Sequence, residues 1–167
     1  MATTPVVKVD FKITSDETKS NDLGPSKMAH TWEKIAEYAN GTGANQVDLV
    51  YTDSVAVEGT PITYDLSGSL VSILDGSAVV FSNIVGFAII NKTLTSGQSV
   101  EIGAGSNPWT GWLKASGDAV VLGAGGVFVW TSPIDGGAVV ATTGDIITLT
   151  RSALNVNVDI IIWGRSA

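Results

Sequence analysis

Asn83–Asn91 reads N-I-V-G-F-A-I-I-N, a run of seven apolar or small residues with an asparagine at each end. The run is too short for a packed helix and has no outward polar position, so it predicts a strand buried on both faces. A second β-branched run, V-N-V-D-I-I-I-W, occupies residues 156–163. We predict that the two runs pair, closing a sheet over more than 60 intervening residues.

The composition favours one all-β domain. A chain of 167 residues is long enough for one domain with its own core, and 44% hydrophobic with 15% charged residues exclude a disordered chain. The 19 glycines suit short strands joined by tight turns. Charged residues are concentrated before residue 77, so we expect the second half to supply most of the buried sheet.

The N-terminal segment carries a strand pattern. Val7, Val9, Phe11 and Ile13 alternate with polar residues, which is typical of a strand with one solvated face. We expect an edge strand or an arm whose apolar face lies on a neighbouring subunit.

A helical pattern follows. Ser26 is a suitable N-cap after Pro25, and Asn40-Gly41 is a suitable stop. Between them, apolar residues recur at helical spacing: Met28, Trp32, Ile35, Ala36 and Ala39. The sequence therefore predicts one short helix over residues 26–39, with an N-terminal strand, arm and loop at 1–24 and a single domain at 25–167.

Short apolar segments separated by turn residues fill the rest of the chain. Residues 46–57 fit two strands or one bent strand equally well. Together, seven or eight strands at intervals of about 8 to 20 residues predict a jelly-roll-like antiparallel β-sandwich with one short N-terminal helix.

Composition also bears on partners. The net charge is −7 and the nine Lys and Arg residues form no cluster, which argues against nucleic-acid binding. The absence of cysteine excludes disulfides and thiol chemistry. No stretch reaches the roughly 18 to 20 apolar residues of a membrane span. We expect no nucleic-acid or membrane partner, and synthesis in a cytoplasm.

Few residues have the spacing of a catalytic or metal site. His30, the only histidine, shares one side of the predicted helix with Glu33 and Glu37, but a metal site would need a further ligand, so a solvated helix face is favoured. No G-x-S-x-G motif occurs. We predict no catalytic, cofactor-binding or metal-binding residue, and no enzyme activity.

The remaining polar motifs have structural readings. No spacing selects a catalytic pair from the loop carboxylates Asp48, Asp53, Glu58, Asp65 and Asp75. A calcium site would have to be assembled from distant segments. The glycines at 123–126 precede a V-F-V-W strand instead of a helix, so they predict a hairpin turn and not a phosphate loop.

Two tryptophans lie in the loop N-P-W-T-G-W at 107–112. Exposed, Trp109 and Trp112 would stack on sugar rings or fill a neighbour's pocket; buried, they would plug one end of the sandwich. The candidate partner-contact residues are Val7, Val9, Phe11, Ile13, Trp109 and Trp112.

The order of the later segments resembles that of small β-sandwich virion proteins of tailed bacteriophages, of the head decoration or cement kind. The segments that carry the resemblance are G-T-G-A-N-Q-V-D-L-V-Y at 41–51, D-L-S-G-S-L at 65–70, A-V-V-F-S-N-I-V-G-F-A-I-I-N at 78–91, G-A-G-G-V-F at 123–128, G-D-I-I-T-L-T at 144–150 and V-D-I-I-I-W-G-R-S at 158–166.

The resemblance implies a non-enzymatic virion protein, without a cofactor, that assembles as a dimer or trimer. It implies contacts with further copies and with the major capsid protein or another virion protein. The alternative is a tail-fibre or carbohydrate-binding module that uses Trp109 and Trp112.

Overall fold

The computed structural model describes residues 5–21, 24–68 and 70–166, and this part of the chain is all-β. The strands in chain order are β1 (Val7–Asn21), β2 (Gly24–Asn40), β3 (Gln46–Val47), β4 (Leu49–Val57), β5 (Ile62–Asp65), β6 (Leu70–Val71), β7 (Ala78–Val79), β8 (Asn83–Asn91), β9 (Val100–Gly103), β10 (Ala119–Leu122), β11 (Val127–Thr131), β12 (Gly137–Ala138), β13 (Ile146–Arg151) and β14 (Val156–Arg165).

Two antiparallel sheets form the body, a front sheet of five strands and a back sheet of four. The front sheet has the order β11-β8-β14-β4, with the short β12 also paired to β8. The back sheet has the order β10-β9-β13-β5. Strands β6 and β7 form a small separate pair. The segment at 46–57 is two strands, which separate at Asp48.

The predicted pairing of the two apolar runs is confirmed. Strands β8 and β14 are antiparallel neighbours at the centre of the front sheet, from Val158 opposite Asn91 to Arg165 opposite Asn83. Alternate side chains of both strands enter the main core between the sheets. Its fully buried members include Ile84, Phe87, Ile89, Ile102, Trp109, Ile147, Leu149, Ile160 and Ile162. Fully burying one such aliphatic or Phe side chain contributes about 1.5–3 kcal/mol.

The asparagine that ends β8 is a buried polar node. The Asn91 side-chain amide donates to the carbonyls of Gln98, at 3.1 Å, and Gly123, at 3.0 Å, and its Oδ1 accepts from Thr93 N at 3.1 Å. Because buried polar groups are costly unless they are bonded, this amide holds the neighbouring loops in a fixed position.

The turn at 123–126 is tight, with Gly126 N donating to Gly123 O at 3.0 Å. It does not form the predicted hairpin, because β10 lies in the back sheet and β11 in the front sheet. The glycines instead carry the chain from one sheet to the other.

The helix predicted over residues 26–39 is wrong, since these residues lie in β2. Strand β2 pairs with β1 along its whole length, from Val7 opposite Tyr38 to Asn21 opposite Gly24. Met28, Trp32 and Ala36 are four residues apart, a spacing close to one helical turn and also a multiple of two, so it fits either structure. The backbone pairing with β1 stabilises the strand and not the helix.

Strands β1 and β2 form a two-stranded ribbon, called here the ribbon. The arm predicted at 1–24 is thus one half of a structure that continues to Asn40. At its base the ribbon joins β3, which pairs in parallel with residues 39 and 40.

Candidate functional site

The base of the ribbon packs on the outer face of the front sheet, the face away from the main core. Tyr38 is buried there in a small apolar cluster with Val47, Val85 and Trp163, while Val7, Val9 and Ala36 are half-buried against it. The hydroxyl oxygens of Tyr38 and Thr131 lie 2.6 Å apart. These contacts fix the direction in which the ribbon leaves the body.

Beyond its base the ribbon projects from the body. Every side chain described between Asp10 and Ile35 is exposed, and this portion is about 35 Å long at about 3.3 Å per residue. In the described part of the chain, β1 has no partner on its other edge. An isolated two-stranded ribbon is marginally stable in water, so this element has surface and backbone groups free for a partner.

One face of the projecting part is apolar. Cross-strand partners share a face, and Ile13 lies opposite Trp32 while Phe11 lies opposite Lys34. The apolar members, called here the distal apolar face, are Phe11, 44% exposed, Ile13, 51%, Met28, 57%, and Trp32, 61%. The Phe11 and Trp32 rings meet edge to face with centroids 5.7 Å apart.

The distal apolar face forms one wall of a groove. The other wall is β11, with the exposed side chains of Val127 and Val129. Lys34 and Pro133 also line this groove, whose volume is about 550 Å³. An uncovered apolar groove with a basic side chain at its edge is suited to a partner segment that is apolar and acidic.

The opposite face of the ribbon is charged. Three ion pairs link its strands: Lys8 with Glu37 at 3.2 Å, Lys12 with Glu33 at 3.6 Å and Lys27 with Asp16 at 2.9 Å. All six side chains are solvated, so each pair contributes about 1 kcal/mol or less. Most charges of this face are paired within the chain, so the distal apolar face is the better surface for an apolar partner.

The helical grouping of His30, Glu33 and Glu37 does not form. His30 lies opposite Ser15, on the same face as Ile13, whereas the two glutamates lie on the charged face. Within the described residues, no group of three or more His, Asp or Glu side chains is placed to hold a metal ion.

Sequence reasoning missed the contribution of β2 to this surface. The sequence predicts a helix for Met28, Trp32 and Lys34, although Met28 and Trp32 are each flanked by polar or small residues, as the apolar residues of β1 are. The missed signal was the position of Asn21 and Gly24 between two segments of similar length, a spacing typical of a short hairpin connection.

The tryptophan loop does not present two indoles at the surface. Trp109 is 1% exposed, and its Nε1 donates to Ala138 O at 3.0 Å. Trp112 is half-buried, with its ring centroid 5.1 Å from those of both Phe87 and Phe128. Trp109 thus fills the core at one end of the sandwich, which was one of the two alternatives. Trp109 and Trp112 form no exposed stacking platform in this conformation.

A carboxylate and two phenols share one edge of the sandwich. Tyr64 donates its hydroxyl to Asp53 Oδ2 at 3.1 Å, and the Tyr51 and Tyr64 rings pack edge to face with centroids 5.9 Å apart. Burial, reinforced by the charge of Asp53, raises the pKa of both tyrosines above the ordinary value of 10.0. Each phenol is therefore held in its neutral form.

Other loop carboxylates hold turns. Asp65 Oδ1 accepts from Ser67 N at 2.9 Å, and Ser67 Oγ donates to Asp145 Oδ2 at 2.8 Å. Asp75 Oδ1 accepts from the hydroxyl of Ser77 at 2.7 Å. These contacts are the side-chain hydrogen bonds by which Asp stabilises a turn, which agrees with the structural reading of this group.

None of the described segments is a helix long and apolar enough to cross a bilayer. No protein family, curated protein or solved structure matches the chain.

Proposed function

We propose that this protein is a structural component of a tailed-bacteriophage particle, a head decoration protein that binds the shell as a homo-oligomer. The observation that carries the proposal is the ribbon, a projecting arm with one face of mostly paired charges and one uncovered apolar face. Large apolar side chains left exposed together mark a protein-contact surface.

We further propose that the sandwich is a jelly roll, a fold common among viral capsid domains. The order of its eight main strands supports this. The first pairs with the last (β4 with β14), the second with the seventh (β5 with β13), the third with the sixth (β8 with β11) and the fourth with the fifth (β9 with β10). This is the order that a long hairpin adopts when it is rolled into two sheets.

An assembly role also agrees with how the body uses its polar groups. Asn91, Arg165 and the turn carboxylates bond to neighbouring loops of the same chain. Arg165, only 7% exposed, donates to the carbonyls of Gln46, at 3.2 Å, and Pro133, at 2.8 Å. These groups stabilise a rigid block, and the block positions the ribbon.

The test is binding of the purified protein to phage heads that lack it, measured by co-sedimentation and by immunogold labelling. A shortened variant replaces residues 11–34 by an Asn-Gly turn between Asp10 and Ile35. These two residues face each other across the strands, so a two-residue hairpin connection fits there.

We expect the full chain to bind heads. The shortened variant, which keeps the packed base, should retain its melting temperature but lose binding. Failure of the full chain to bind heads would overturn the proposal, and labelling confined to tails would favour the tail or receptor-binding alternative. Unchanged binding by the shortened variant would show that the projecting part of the ribbon does not contact the head.

A further inference from the structure

The outer edge of β1 at residues 15–21, called here the tip edge, has backbone groups available for a further strand. In the described part of the chain β1 pairs only with β2, and β1 contains no proline or glycine. Its outward N–H and C=O groups can therefore bond to another strand. The outer edge of β2 is less suited near the tip, because Pro25 has no N–H to donate.

Two charged side chains of this segment have no ionic partner within the described part of the chain. Neither Glu17 nor Lys19 takes part in an ion pair there, whereas Asp16 pairs with Lys27. Glu17 and Lys19 are both exposed, and they lie on the same face of β1 because they are two residues apart. A strand with the reverse order of charges would satisfy both.

We infer that the tip edge pairs with the tip edge of a second copy, in antiparallel orientation, about a two-fold axis at Thr18. In this register Thr18 lies opposite Thr18 of the second copy, and Lys19 lies opposite its Glu17. By symmetry the charge pair forms twice, and the hydroxyl of Ser20 lies opposite the carboxylate of Asp16. Thr–Thr pairs and opposite charges are among the cross-strand contacts that stabilise antiparallel strands.

Neighbouring registers are disfavoured by the same side chains. An axis at residue 16, 17 or 19 places Asp16, Glu17 or Lys19 directly opposite its own copy, and like charges in that position are destabilising. An axis at residue 15 places Glu17 opposite Ile13 and Lys19 opposite Phe11, so charged groups face apolar ones. The charges on this edge therefore prevent most pairings and favour one.

The pairing keeps the two bodies apart. Residues 41–167 contain four basic and ten acidic side chains, so two bodies in contact would repel each other. Val9, at the packed base, is nine residues from Thr18, or about 30 Å at about 3.3 Å per residue. The two bases are then about 60 Å apart, far beyond the screening length of about 8 Å at physiological ionic strength. Only the tips of the two ribbons overlap.

The distal apolar face stays uncovered in both copies. Its members Phe11 and Ile13 precede the paired segment, and Met28 and Trp32 lie on β2, the strand away from the second copy. A two-fold axis perpendicular to the ribbons keeps both distal apolar faces on the same side. Two linked contact surfaces bind one partner surface more tightly than a single one does. The dimer thus provides the homo-oligomer of the proposed function without using the surface that contacts the shell.

The first test is cross-linking through an introduced cysteine, since the chain has none of its own. Residues directly opposite each other on antiparallel strands have Cα atoms about 4.5–5.5 Å apart, which suits a disulfide. Thr18→Cys places two thiols at such positions. Thr14→Cys is the matched control on the same face of β1, with its two thiols about 26 Å apart at about 3.3 Å per residue.

In a glutathione redox buffer Thr18→Cys should form disulfide-linked dimers about tenfold faster than Thr14→Cys, because pairing raises the effective concentration of its thiols. In concentrated urea the two rates should become equal. Equal rates in the folded protein, or no linked dimer from either variant, overturns the inference.

The second test exchanges the two charges and measures the dimer by sedimentation velocity at concentrations up to about 1 mM. Glu17→Lys and Lys19→Glu each place like charges opposite each other twice, so each should raise the dissociation constant by about tenfold. They change the net charge in opposite directions, so overall charge does not explain a loss in both. The double variant keeps the net charge of −7 and should dimerise like the natural chain. A double variant as weak as the single ones, or a natural chain that is monomeric throughout, overturns the inference.

The inferred dimer is the homo-oligomer on which the proposed function rests, and co-sedimentation with heads separates the two. A disulfide-linked Thr18→Cys dimer that does not bind heads would uphold the inference and overturn the proposed function. A natural chain that binds heads as a monomer would overturn the inference and uphold head binding.

Discussion

The two tryptophans that differ most in environment provide the sharpest test of the structure. Trp109 is 1% exposed and contacts Phe87 and Trp130 edge to face, with centroids 5.9 Å and 5.5 Å away. Trp32, on the ribbon, is 61% exposed. Truncation to Ala should therefore have very different effects on stability at the two positions.

Replacing a buried Trp by Ala costs about 3–5 kcal/mol, because the transfer free energy is lost and a cavity is left. At about 2–4 °C per kcal/mol for a domain of this length, Trp109→Ala should lower the melting temperature by about 6–20 °C. Trp32→Ala removes an exposed ring and one edge-to-face contact, so it should cost about 1 kcal/mol or less.

The assay is thermal unfolding followed by circular dichroism, with urea unfolding as a second measure. Both should be run at a protein concentration where copies do not associate, because association raises apparent stability. Trp109→Phe is the matched variant: it keeps a ring but loses the Nε1 donor to Ala138 O, and should fall between the natural chain and Trp109→Ala. Equal melting temperatures for Trp109→Ala and the natural chain would refute the placement of this loop.

Three further outcomes follow from the packing and the polar contacts. In Gly86→Ala the new methyl group would overlap the ring of Trp163 and lie 2.7 Å from a backbone carbonyl oxygen, so unfolding free energy should fall by about 1–3 kcal/mol. Gly117→Ala, with open space around it, should leave the urea midpoint unchanged. A similar loss of unfolding free energy in both variants would contradict the close approach of Gly86 to the Trp163 ring. Burial raises the pKa of Tyr64 in the folded protein, so above about pH 10 this phenol ionises in the unfolded chain but stays neutral in the fold. The free energy of unfolding should therefore fall as pH rises, and it should fall less steeply in Tyr64→Phe. An identical pH dependence in the two proteins would argue against the buried phenol. Arg165→Lys should cost about 1–3 kcal/mol by calorimetry, because one ammonium group does not reproduce the guanidinium contacts to three backbone carbonyls; full stability of this variant would show those contacts to be dispensable.

The apolar runs at 83–91 and 156–163 were interpretable because both lie in the core. Strand β8 is largely buried on both faces, so its composition alone predicts it, whereas β14 has an outer face on which Asn157 and Ile161 are exposed and is predicted by its run of β-branched residues. The alternation at 7–13 was equally informative, and β1 does begin at Val7. In these segments the local pattern and the final environment agree.

The candidate site was only half predictable. Val7, Val9, Phe11 and Ile13 lie on the ribbon as expected for an apolar strand face, but Trp109 is in the core. An indole in a Pro and Gly loop has the same sequence pattern whether the loop folds inward or outward. Its environment depends on Phe87 and Trp130, which come from two other strands.

The amino-acid sequence by itself determined the all-β class, the pairing of the two central strands and the apolar face of β1, because these depend on the types of side chain within each segment and, for β1, on their alternation. Only the tertiary structure decided that residues 24–40 form a strand and that Trp32 belongs to the distal apolar face. Met28, Trp32 and Ala36 fit a helix and a strand alike, and the backbone hydrogen bonds to β1 stabilise one of the two. Those bonds form between two different segments, and the spacing of apolar side chains within either segment does not predict them.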